Sequence, residues 1–203
     1  MATAQGLPRL DTQSADALRR LHNSLHQSLD HHDAYLSLIG LGNEETVPLL
    51  LERLRIDYGE TEPIRPTPPL GVHLGFICTH VHLIEALRSI TNTDQGMYYP
   101  RWKAWWDANH GLPRLQWILG GFKEGGLHVA QPPDETFGLE LIETITDRRE
   151  YYAINARRLL EIVPVKQRAA WIAKAAGSDQ ERLRLGALKI LDLSEAVGQQ
   201  KRR

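Results

Sequence analysis

The apolar residues of this chain recur at steps of three and four, and that spacing limits what it can fold into more than any other feature. Between residues 14 and 30, Leu18, Leu21, Leu25 and Leu29 follow it, with Asp16, Arg19, Arg20 and Gln27 between them. That is the pattern of an amphipathic helix. A short helix is predicted over 33–41, and Val47, Leu50, Leu51, Leu54 and Tyr58 form the next stripe. The break between them is Gly40-Leu41-Gly42-Asn43, so two antiparallel helices joined by a tight turn are expected. Pro48 lacks an amide hydrogen, which places the start of the second helix at Thr46 or bends it. A long helix is predicted from about Val72 to Ile90, then TNTDQG as a loop. Pro100 falls near the first position of a helix carrying Trp102, Trp105 and Trp106, and Leu115, Ile118, Leu119 and Phe122 mark another.

Four helices are expected in the last third. Asp147 with Glu150, and Ser178 with Glu181, have the spacing of capping boxes. Tyr152, Ala156, Leu159 and Val163 form one stripe while Tyr151, Ile154 and Ile162 fall off it, as in a helix sandwiched between neighbours. No convincing alternation of apolar and polar residues predicts a strand. The fold class is therefore all-α, about ten short helices in one domain over residues 1–203. Two segments interrupt it: a proline-rich loop at 59–71, with Pro63, Pro66, Pro68 and Pro69, and a glycine- and proline-containing loop at 124–134.

Composition excludes several classes. At 42% hydrophobic and 24% charged the chain has the make-up of a globular protein rather than a disordered one. Its longest uncharged stretch, 66–84, is interrupted by His and Pro and falls short of the roughly 20 apolar residues that a membrane span needs. With no basic start followed by an apolar run, no signal peptide is visible, and a cytoplasmic location is expected. Cys78 is the single cysteine, so no internal disulfide and no cage of several thiolates can form.

Histidine, tryptophan and arginine supply the candidate site residues. His80 and His82 diverge by about 200° on a helix, and His80 reads as a hydrogen-bonded core residue. His22 and His26 are one turn apart, with Asp30, His31, His32 and Asp33 following, and are the candidate metal ligands. No metal-binding motif with a general base accompanies them, so no cofactor is expected. Cys78 reads as a buried packing residue. Trp102, Trp105 and Trp106 cover one helix face and read as core, whereas Trp117 lies off its stripe and is either sandwiched or an exposed binding anchor. Charge is uneven: residues 1–138 carry net −5 and residues 139–203 net +4, for a total of −1. Arg157 and Arg158 belong to a basic series that lines a groove or forms a solvated face. The near-neutral total argues against nucleic acid as a partner.

The segment HDAYLSLIGLGNEETVPLLLERL resembles a HEAT-like repeat, with a small-residue turn leading into its second helix. LIEALRSITNTDQGMYYPRWKAWWDAN is similar to the pattern found at the end of bacterial HEAT-type arrays, and ERLRLGALKIL is a fainter echo. The resemblance covers residues 32–109 best. It implies a right-handed α-solenoid of stacked hairpins, a non-enzymatic scaffold that grips a protein or peptide partner, and Trp102, Trp105 and Trp106 as repeat-packing residues. An alternative is a HEAT-like DNA glycosylase, for which Trp105, Trp106 and Asp107 would be the ingredients. A bilin-lyase-type chaperone is a third reading within the same group.

Overall fold

The computed structural model describes residues 11–27, 31–61 and 74–200, together with Leu7, and side chains within them except at 74–77 and 193–200. Most of the proline-rich loop, and His73, Leu29, Asp30 and the terminal KRR, lie outside the described residues. Ten α-helices and no strand occur among the described residues: α1 Thr12–Leu25, α2 His32–Leu41, α3 Thr46–Tyr58, α4 Leu74–Thr91, α5 Tyr99–Asn109, α6 Arg114–Glu124, α7 Glu135–Thr144, α8 Glu150–Ile162, α9 Val165–Ala176 and α10 Glu181–Gln200. None of them is long and apolar enough to cross a membrane. The helices group into two compact units, residues 9–118 and residues 119–203, with the division falling inside α6.

In the first unit the predicted stripes are the buried ones. Leu18 and Leu25 of α1, Val47, Leu50, Leu51 and Leu54 of α3, and Leu83, Ile84, Leu87 and Ile90 of α4 close over Tyr35 and Leu38 of α2. Asp11 caps α1 by accepting the Ser14 amide at 2.8 Å. Helix α3 starts at Thr46, which puts Pro48 in its first turn, where a missing amide hydrogen costs no helical bond. Helices α2 and α4 pack side by side. At one end the Ser89 hydroxyl donates to the Ile39 carbonyl at 2.6 Å. At the other, His32 meets Cys78 and His82. The contacts follow the same order along both helices, so α2 and α4 run parallel. Gly42, at the turn after α2, permits this approach, because a Cβ there would lie 2.5 Å from Ile90 Cδ1.

Four tryptophans join α5 to α6. Trp102 is fully buried and its indole N–H donates to the Gly96 carbonyl at 2.9 Å. Trp117 meets Trp105 and Trp106 edge-to-face, with ring centroids 5.5 and 5.8 Å apart. The loop after α4 is pinned by Asn92, whose left-handed backbone (φ 60°) ends the helix and whose side-chain amide donates to the Ile118 carbonyl at 2.8 Å. Arg114 donates from Nε to the Ile90 carbonyl at 3.0 Å, and burial, opposed by Glu44, drops its pKa to about 10.

The second unit packs α7 against α8, α9 and α10, and α9 against α10. Helix α8 buries Tyr151, Tyr152, Ala153, Asn155, Ala156, Leu159 and Leu160, more than one stripe, as its sequence predicts. Gly138 lies against the Trp171 ring and Gly186 against the Ile142 carbonyl, so both helix contacts are made at glycine, where backbone and ring approach without a Cβ. The two predicted capping boxes do not form. Asp147 accepts the Arg149 amide and Ser178 accepts the Gln180 amide, each two residues on, and the helices begin after those turns at Glu150 and Glu181. In both cases the short polar side chain satisfies a closer amide first.

Candidate metal centre

The parallel packing of α2 on α4 carries three donor side chains to one point. Cys78 and His82 are four residues apart on α4 and so occupy one face, one turn apart. His32 opens α2, and Asp33 beside it is acidic in the first turn, where the positive helix end favours it. Cys78 Sγ lies 3.2 Å from His82 Nε2 and 3.4 Å from His32 Nε2, and one donor atom from each of the three residues falls within 4.8 Å of the others. The two imidazoles stand edge-to-face, centroids 4.6 Å apart. Cys78 is exposed and the histidines half-buried, so the cluster is open to solvent on the sulfur side.

Asp33 supplies the outer support. Its Oδ1 lies 3.2 Å from His32 Nδ1. A carboxylate in that place accepts the Nδ1 proton, which leaves the Nε2 lone pair facing the sulfur. Bonds of about 2.0 to 2.3 Å at the tetrahedral angle place neighbouring ligands about 3.3 to 3.6 Å apart. Of the two sulfur–nitrogen separations, 3.4 Å falls within this spacing and 3.2 Å just short of it. One thiol and two imidazoles form a soft donor set, suited to Zn²⁺ or Cu⁺ and poorly suited to Mg²⁺ or Ca²⁺.

The sequence-predicted site residues are distributed elsewhere. His22 is half-buried and its Nε2 lies 2.8 Å from Thr46 Oγ1, while His26 is exposed just beyond α1. Trp117 is 4% exposed and donates its indole N–H to the Asn109 carbonyl at 2.8 Å, so it is the sandwiched of the two alternatives and presents no surface anchor. Arg157 and Arg158 are half-buried on α8, and Arg158 Nη1 donates to Asn155 Oδ1 at 3.0 Å. Asp107 is exposed and held by Lys103 Nζ at 2.6 and 2.7 Å. Cys78, expected to be buried, is exposed. Among the described side chains of α4, the fully buried apolar ones are Leu83, Ile84, Ala86, Leu87 and Ile90, all past the cysteine.

His80 turns away from the cluster, as its divergence from His82 requires. It stacks on Tyr58 with centroids 3.8 Å apart and donates from Nε2 to the Met97 carbonyl at 2.7 Å. Burial lowers its pKa, opposed by the Met97 hydrogen bond, and burial lowers that of His22 too, opposed by Glu45. Both therefore favour the neutral form in the folded chain. Their contribution is present above the unfolded pKa of about 6.5 and is lost as pH falls through the lowered folded values. Urea melts should accordingly show stability declining below about pH 6.5, with a shallower decline in His80→Gln. An unchanged slope in that variant would exclude His80 as a source.

Comparison with family models, with curated proteins and with solved structures finds no match to this chain.

Proposed function

We propose that the protein binds one thiophilic transition-metal ion, of the Zn²⁺ or Cu⁺ kind, through His32, Cys78 and His82. The observation that carries this reading is the convergence of the three donors on one point, with Asp33 on the outer nitrogen of His32. An ion there ties the first turn of α2 to α4. The cytoplasmic location expected from the sequence belongs to the same proposal, because a lone thiol ligand persists in a reducing compartment.

Cobalt titration of the reduced, untagged chain tests this. A thiolate-to-cobalt charge-transfer band saturating at one ion per chain is expected, absent in Cys78→Ser and weakened in His82→Ala. A silent titration, or a band that survives Cys78→Ser, would refute the site. Asp33→Ala removes no donor, yet its loss should weaken affinity by about 10- to 100-fold, the usual effect of an outer-shell partner. Equal affinity would show that Asp33 does not orient His32.

The repeat architecture is part of the proposal. It rests on the sequence resemblance over residues 32–109, with α2 packed on α4 and α3 on α5. On this reading the ion bridges the first helices of two successive repeats. The wider role is then a scaffold for a protein or peptide partner, with the metal centre stabilising its N-terminal end.

A further inference from the structure

The sulfur of this cluster is its exposed donor. Asp33 Oδ1 lies 3.2 Å from His32 Nδ1, and His32 Nε2 lies 3.4 Å from Cys78 Sγ. His82 Nε2 also lies 3.2 Å from the sulfur. Sulfur is the donor of this set that a peroxide can oxidise, because an imidazole has no lone pair of comparable nucleophilicity toward peroxide oxygen. Cys78 is exposed, so a small oxidant can reach it, and as the chain's only cysteine it has no internal partner for a disulfide.

We infer that Cys78 is a redox gate on the metal centre: a hydroperoxide oxidises its sulfur to a sulfenic acid, and the ion is released. This inference rests on the metal reading above. In the step, a sulfur lone pair attacks one oxygen of hydrogen peroxide. The S–O bond forms as the O–O bond breaks, and the departing hydroxide takes a proton to leave as water. Sulfur loses two electrons and the peroxide gains them. The sulfenic sulfur has surrendered the negative charge that bound the ion, which leaves two imidazoles in place of a three-ligand set. With no second cysteine in the chain, an added thiol must return the sulfur to its reduced form, by way of a mixed disulfide.

The test uses the full chain loaded with one Zn²⁺ and treated with hydrogen peroxide. Free ion is read with a chromogenic chelator and the state of Cys78 by intact mass and peptide mapping. Release of the ion should track the gain of a single oxygen at Cys78, and a thiol reductant should restore binding. Oxygen gained while the ion stays bound, or release with Cys78 unmodified, would each overturn the gate. A silent cobalt titration removes the metal reading and the gate together, whereas an ion that loads and survives peroxide removes the gate alone.

Discussion

Trp102→Ala should destabilise the protein by about 3 to 5 kcal/mol, a large share of a typical domain's stability. Trp102 is wholly inaccessible to solvent, and its ring meets Trp105 edge-to-face at 6.3 Å. Truncation opens a cavity in the centre of the first unit's core and leaves the Gly96 carbonyl without its 2.9 Å donor. Neighbouring helices relax only partly around such a void, so the lost contacts and the cavity add. Trp105 and Trp106 are half-buried, and their alanine variants should cost less. Urea melts followed by circular dichroism order the three. A Trp102 variant that melts with wild type would remove this residue from the account of the core.

The second large effect is expected at Gly186. This glycine of α10 sits against the backbone carbonyl of Ile142 in α7, so an added Cβ meets main chain that cannot rotate aside. Gly186→Val should cost about 3 kcal/mol or more, at the upper end of overpacking penalties. Gly120, around which a Cβ would meet nothing within 4 Å, is the control, and Gly120→Ala should be tolerated. Equal melting of Gly186→Val and wild type would mean that α7 and α10 do not approach at this point.

The two contacts differ in how much of them the sequence discloses. Helix limits are legible wherever punctuation is chemical: Thr46 ahead of Pro48, Gly40 and Gly42 around the first turn, and Pro100 at the start of α5 all mark observed boundaries within a residue or two. The capping residues are less so, because Asp147 and Ser178 carry side chains short enough to satisfy an amide two residues on as readily as three. Glycine contacts such as Gly138 on Trp171 depend on which helices meet, and no local pattern contains that information.

The proposed metal centre is half-visible in the sequence. Cys78 and His82, one turn apart on a predicted helix, are a pair that the sequence offers, and the His31-His32-Asp33 string offers its partner. What joins them is the parallel packing of α2 on α4, which brings together residues 46 apart in the chain. Spacing within a single helix therefore favours His22 and His26, and a helix α4 buried along its whole length would assign Cys78 to packing. Exposure of Cys78 is a property of the assembled unit.

X-ray absorption at the metal edge of the zinc-loaded chain tests the central claim most directly. One sulfur at about 2.3 Å and two imidazole nitrogens at about 2.0 to 2.1 Å are predicted around each ion, with the sulfur lost in Cys78→Ser. A first shell of oxygen and nitrogen alone in the wild-type protein would contradict the centre formed by His32, Cys78 and His82.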